Sequence, residues 1–344
     1  MQTALARVLT SGRYILGEEV ATFEREWADY CGARHCIGVA SGTDALKLLL
    51  GNLTRGGRVL VPANTAPPTY VAVCEAGLTP WFVDVGDDGL LDPAALPAYP
   101  RDDGAVALLP VHLYGRMGRI APLAAYAAQH GLRLIEDACQ AHGARDPDGH
   151  PPGESSVGAA FSFYPTKNLA ALGDGGAVVT NDDELAERVR SQRFYGYVKG
   201  EPGVLGPASG CNSRLDEMQA AVLRARLPRL DRRNALRRDA AESYRVALAE
   251  MGIKVFAGPN TNHHLLTVQV ARRDAVRAVM AAKGVTTAIH YPVPGHRQSP
   301  FIDARSLPGA ERWCAETLTL PLWPGIDDEI IGRVVAALKG ALQE

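Results

Sequence analysis

Short apolar runs alternate with amphipathic stretches through the first half of the chain. Residues 36–39, 58–61, 79–84, 106–109 and 132–135 are strand-like, and 43–53, 69–76 and 120–130 between them are helix-like. Strands that alternate with helices predict an α/β fold, a mostly parallel sheet flanked by helices on both faces. Two more apolar runs, 159–163 and 177–180, extend that sheet. Residues 213–250, rich in Ala, Leu, Arg and Glu, predict a long helix bent near Pro228. After it, 264–270, 272–283, 285–289 and 328–342 predict a smaller α+β unit entered through a turn at Pro259 and Asn260. The expected division is a large domain over 1–235 and a small C-terminal domain over 236–344.

Composition narrows the class of protein. A chain of 344 residues, 47% hydrophobic and 22% charged, suits one large and one smaller domain with a sizeable core. A net charge of −2 gives no pointer to nucleic acid or anionic membrane. The arginines from Arg224 to Arg238 are interspersed with Leu and Ala and read as the solvated face of the long helix. Six cysteines without C-x-x-C spacing argue against a metal site or a disulfide framework. With no apolar leader and no run of membrane length, the expected location is cytoplasmic, with reduced thiols.

Four segments carry candidate chemistry. Phe161-Ser162-Phe163-Tyr164-Pro165-Thr166-Lys167-Asn168 sets a lysine after one apolar strand and before a glycine turn and a second strand. Partial desolvation there disfavours the ammonium form and exposes a nucleophilic amine suited to Schiff-base chemistry. A surface lysine between two strands explains the same pattern. Ser41-Gly42-Thr43 leads from a strand into a helix, where free N–H groups of Gly42 and Thr43 suit a phosphate. A plain cap by Ser41 or Thr43 is equally consistent. Glu136 and Asp137 end an apolar strand at the ligand edge of such a sheet. One of them suits a protonated ring nitrogen, or the two cap a following helix. No G-x-G-x-x-G follows the first strand, which leaves a dinucleotide site little support. Asn212 or Ser213 fits as the cap of the long helix, with Asp216 and Glu217 in its first turn.

Taken in order, these segments resemble the DegT/DnrJ/EryC1/StrS family of sugar aminotransferases, fold-type I enzymes that use pyridoxal 5′-phosphate (PLP). The resemblance runs from Ser11-Gly12-Arg13-Tyr14-Ile15-Leu16-Gly17 to Leu320-Pro321-Leu322, through Val61-Pro62-Ala63-Asn64-Thr65, Pro110-Val111-His112-Leu113-Tyr114-Gly115 and Ile289-His290-Tyr291-Pro292-Val293-Pro294. It implies that Lys167 forms the Schiff base and moves protons, and that Asp137 pairs with the ring nitrogen. By the same resemblance, Gln140 contacts the ring's phenolic oxygen and Gly42, Thr43 and Ser162 hold the phosphate. Asn212 reaches the phosphate of a neighbouring subunit, implying a homodimer with active sites at the interface. Tyr14, His290 and Tyr291 fall on the sugar side. Arg214 is a candidate for the donor's carboxylate, or for an ion pair across the dimer.

The family usually carries an aromatic residue over the PLP ring where this chain has Ala66, followed by Pro67 and Pro68, so a shifted loop is expected. Relatives also begin further upstream, and residues 253–262 are compressed. The implied reaction transfers an amino group from L-glutamate to a nucleotide-linked ketosugar. The wording of 161–169 resembles enzymes acting at C-3 of dTDP-3-oxo-6-deoxyhexoses, with C-4 or amino-cyclitol aminotransferases as alternatives. Family dehydratases carry histidine in place of the lysine, and Lys167 argues against them. A catalytically silent partner protein on the same fold is the alternative from another class.

Overall fold

The computed structural model describes residues 1–98, 101–201, 203–299 and 301–344. Helices α1 (Gln2–Ser11) and α2 (Glu18–Cys31) precede β1 (His35–Val39) and α3 (Gly42–Leu50). Then come β2 (Arg58–Pro62), α4 (Pro67–Glu75), β3 (Thr79–Val83), β4 (Ala105–Leu108), α5 (Ile120–Gln129), β5 (Arg133–Asp137), β6 (Gly158–Ser162), β7 (Gly176–Thr180) and α6 (Asp183–Gln192). The strands form one seven-stranded sheet in the order β1-β7-β6-β5-β4-β2-β3, with only β7 running against its described neighbours. Successive strand residues point to opposite faces of such a sheet. Accordingly Leu60, Leu108, Leu134 and Phe161 join a core with Phe23 and Trp27 of α2. Their neighbours Val59, Val61, Ala107, Ile135 and Ala160 join the opposite core, against α3 and α4. The strand and helix positions read from the alternation of apolar runs therefore hold, and the sheet is buried on both faces.

The long helix is two helices, α7 (Glu217–Arg226) and α8 (Leu230–Ala249), joined by a 3-10 turn at Leu227–Arg229 that contains Pro228. Leu230 belongs to the first core, whereas Ala240, Ala241, Tyr244 and Leu248 belong to a third. That third core includes α9 (Arg273–Ala282), the antiparallel strands β8 (Leu266–Gln269) and β9 (Thr317–Leu320), and α11 (Asp328–Gln343). Between them, α10 (Pro308–Glu316) sends Ala310 and Trp313 back into the core of the large sheet.

Several expectations need correction. Asn212 and Ser213 do not cap the long helix; α7 begins at Glu217, whose N–H donates to the Tyr14 carbonyl at 3.0 Å. Ser213 instead accepts from Ala40 N (3.1 Å) and donates to Asp44 (2.8 Å), pinning the turn ahead of α3. The arginine face is not wholly solvated. Arg224 pairs with Glu19 and Glu26, Arg226 donates to the Ala170 carbonyl, and Arg237 donates to the His263 carbonyl. Residues 285–289 form no strand. Ala288 makes a single bridge to Thr319, and the apolar character of the run reflects burial of Val285 in the third core. Among the described residues no helix is long and apolar enough to cross a membrane, and no cluster of three metal-ligating side chains occurs.

Candidate active site

The carboxyl ends of β5 and β6 and the amino ends of α3 and α4 surround a cavity of about 300 Å³. It is lined by Gly42, Thr43, Asp137, Gln140, Ser162, Lys167 and Tyr291, seven of the eleven expected site residues. Crevices outside the carboxyl ends of strands are where open α/β sheets bind ligands.

One wall is an anion cradle. Ser41 caps α3 by accepting from Asp44 N at 3.1 Å. Among the described residues the N–H groups of Gly42 and Thr43 have no partner, and they stand at a helix N-terminus with its partial positive charge. A Cβ at residue 42 would lie 2.6 Å from that of Ser162 and 2.7 Å from Cys139 Sγ, so only glycine fits there. The geometry matches a phosphate bound by backbone donors and the Ser162 hydroxyl.

The two adjacent acids part company across the strand. Glu136 is fully buried on one side, taking Gly153 N (2.8 Å) and facing His112 Nε2 (2.7 Å). Asp137 faces the cavity, and no helix follows for either to cap. Its Oδ2 accepts from the Thr69 hydroxyl at 2.8 Å and its Oδ1 from Cys139 N at 3.1 Å. Thr69 in turn lies 3.1 Å from the Thr65 hydroxyl. Both oxygens are thus held, and the carboxylate keeps lone pairs for a cationic N–H in the cavity.

Lys167 sits in the loop between β6 and β7, its own N–H donating to the Tyr164 carbonyl at 2.8 Å. Burial depresses the pKa of its amine, and the nearby Asp137 carboxylate only partly offsets this. That is the environment a nucleophilic lysine requires. A buried amide network fixes the loop. Asn168 donates to Asn234 (2.8 Å) and to the Asn262 carbonyl (2.9 Å). Asn234 and Asn262 both donate to the His142 carbonyl (2.8 and 3.0 Å), and His142 Nε2 lies 2.8 Å from the Ser162 carbonyl.

Gln140 is held at both ends, accepting from Tyr114 N (2.6 Å) and donating to the Tyr291 hydroxyl (3.1 Å). Burial raises the pKa of that hydroxyl to about 12. His290 lies just behind, with Nδ1 2.9 Å from Thr319 Oγ1 and its carbonyl accepting from Tyr114 OH. Tyr14, Asn212, Arg214 and His290 stand outside the cavity lining of their own chain. Tyr14 is 49% exposed, Asn212 is exposed, and the Arg214 guanidinium stacks 5.0 Å from the Phe194 ring. At the missing aromatic, Ala66 is the N-cap of α4, with Pro67 and Pro68 opening the helix. Ala66 and Pro68 line the cavity themselves, while Tyr70 turns away against Phe82 and Phe301.

Thr69 and the asparagine network escape sequence reasoning. A threonine in a helix and three scattered asparagines carry no spacing signal, since their partners lie 66 to 120 residues away.

Comparison with known proteins places this geometry. Residues 1–339 match the model of the DegT/DnrJ/EryC1/StrS aminotransferase family. The chain is 45% identical over 350 residues to a dTDP-3-amino-3,4,6-trideoxy-alpha-D-glucose transaminase of Streptomyces venezuelae, covering 98% of this chain and 90% of the relative. Its fold matches the crystal structure of S. venezuelae DesV in complex with a ketimine intermediate. There the TM-score is 0.92 at 43% identity, over 100% of this chain and 94% of the other. Bacillus subtilis NtdA with bound cofactor PMP matches with a TM-score of 0.92 at 28% identity, over 100% and 81% of the two chains.

Proposed function

Since the chain belongs to the DegT/DnrJ/EryC1/StrS family of PLP-dependent aminotransferases, we propose that it moves an amino group from L-glutamate to C-3 of a dTDP-linked 3-oxo-6-deoxyhexose. The products are 2-oxoglutarate and the 3-amino sugar. One observation carries the reading: a desolvated lysine amine, a braced carboxylate and a glycine cradle converge on one cavity. The substrate class rests on the 45% identity to a transaminase of a dTDP-3-amino sugar.

When bound, PLP supplies the electron sink that lets a carbon beside nitrogen lose a proton. The chain's own groups do the rest. Gly42 N, Thr43 N and the Ser162 hydroxyl hold the phosphate. Asp137 keeps a proton on the ring nitrogen through a charge-assisted bond. Lys167 Nζ takes the proton from the donor's α-carbon and delivers one to C-3 of the acceptor. Gln140 and Tyr291, already bonded to each other, line the same cavity as these groups.

The working unit in this reading is a homodimer. Tyr14, Asn212 and Arg214 lie outside the lining of their own cavity, and Tyr14, Asn212, Tyr195 and Leu205 are exposed. In this reading they complete a partner's site, Asn212 at the phosphate and Arg214 at the donor carboxylate. Mixing inactive Lys167→Ala and Asn212→Ala subunits is then expected to restore part of the activity, because hybrid dimers regain one complete site. No recovery on mixing counts against sharing. For the reaction itself, glutamate supplied with dTDP-3-oxo and dTDP-4-oxo sugars should yield 2-oxoglutarate only with the former. Amination at C-4 alone would overturn the regiochemistry, and protein that takes up no PLP would support the silent-partner alternative.

A further inference from the structure

An anion site made of backbone donors is only as well aimed as the turn that carries it. In this chain the turn is Ser41-Gly42-Thr43, and a residue outside the cavity lining spans it. Ser213 is fully buried, and its hydroxyl accepts from Ala40 N at 3.1 Å and donates to Asp44 Oδ2 at 2.8 Å. One proton and two lone pairs allow both bonds at once, and the carboxylate fixes which way the proton points. The other Asp44 oxygen pairs with Lys47 at 2.8 Å, which offsets a negative charge beside an anion site.

Ser213 is itself anchored. Its N–H donates to the Arg193 carbonyl at 2.9 Å, and the buried Arg193 guanidinium donates to the Gly38 carbonyl of β1 at 2.7 Å and pairs with Glu24. Leu215 packs over Gly38, where a Cβ would lie 3.0 Å from its own. Another side of the turn is closed by β7. A Cβ at Gly176 would stand 2.3 Å from the Ser41 carbonyl carbon and 2.7 Å from Gly42 N, so only a glycine backbone lets the turn sit there. The cradle is thus held by one hydroxyl and by close contact with one strand, while the Gly42 and Thr43 N–H groups stay free for a ligand.

We propose that Ser213 is a positioning residue for the cofactor: by bridging residues 40 and 44 it aims the N–H groups of Gly42 and Thr43 at the phosphate of PLP. Ser213 is not part of the cavity lining, so its effect reaches the phosphate through the turn. The inference rests on the phosphate site proposed above and is independent of which sugar the cavity takes.

Spectral titration of the full chain, freed of cofactor, with PLP and with pyridoxal tests it. Pyridoxal is the same aldehyde without the phosphate, so the ratio of the two affinities isolates what the phosphate contributes. The unaltered protein should prefer PLP. Ser213→Ala should shrink that preference about fivefold or more, the worth of about one hydrogen bond, while pyridoxal binds as before. Gly176→Ala, which forces the turn from the side of β7, should shrink it as well. An unchanged ratio in Ser213→Ala overturns the inference. So does an equal loss for both aldehydes, which would mark a general structural role. If the unaltered protein shows no preference for PLP, the phosphate site itself falls, and the inference with it.

Discussion

Asp137 is held by a hydroxyl that no spacing rule would single out. Thr69 donates to Oδ2 and takes its own bond from Thr65, so the carboxylate's rotamer is set before any ligand arrives. Thr69→Val keeps the shape and removes the donor. A hydrogen bond to a charged group is worth about 1.5–3 kcal/mol, so PLP affinity measured by spectral titration should fall about tenfold or more. Thr69→Ser should restore most of it, and unchanged affinity in the valine variant would show that Asp137 needs no such support. Lys167 and Asp137 were legible in the sequence because each follows an apolar strand at the edge where ligands bind. The Ser41–Thr43 turn was legible because a glycine and two hydroxyl residues begin a helix. Thr69 was not, because its partner is 68 positions away. Arg214 was read from its charge alone, and its guanidinium lies over the Phe194 and Tyr195 rings.

At the scale of elements, helix ends show where local rules give way to tertiary ones. Gly17 caps α2 with no side-chain acceptor of its own. Glu217, opening α7, supplies the acceptors instead, taking Gly17 N (2.8 Å), Glu19 N (2.9 Å) and Val20 N (2.8 Å). One buried carboxylate thus serves three donors of a helix 200 residues away, with the helix dipole adding to the attraction. Glu217→Ala strands those donors and is expected to cost about 3 kcal/mol in denaturant unfolding. Glu217→Gln, which keeps one acceptor oxygen, should cost less. A loss under about 0.5 kcal/mol for the alanine variant, typical of an unimportant surface site, would contradict this account of α2. The acids at the start of the long helix were visible in the sequence, but their target was not. Strands and helices of the sheet fared better, since period and burial coincide there. In the C-terminal part the run at 285–289 failed as a strand because its apolar residues serve packing and not pairing.

For the whole molecule, buried histidines make folding sensitive to acid. Burial, reinforced by the nearby Lys167, lowers the pKa of His142 to about 3. Burial and the arginines around it bring His263 to about 3 as well, and His264 is also driven well below its usual value. The unfolded chain takes up these protons below about pH 6.5, whereas the folded chain refuses those of His142 and His263 until about pH 3. Stability present above that upper value is therefore lost as pH falls through the window, by up to about 1.4 kcal/mol per pH unit for each group. Denaturation midpoints should drop between about pH 7 and about pH 5, and His142→Gln should flatten the slope. A midpoint independent of pH over that range would count against the burial of these rings.

Everything proposed for the cavity depends on the amine of Lys167 being the group that bonds to PLP. Borohydride reduction of the PLP-loaded protein, followed by peptide mass analysis, tests this most directly. The reduced cofactor should be found on the peptide carrying Lys167 and on no other, and Lys167→Ala should carry none. Label on a different lysine, or on none in protein that has bound PLP, would contradict the assignment.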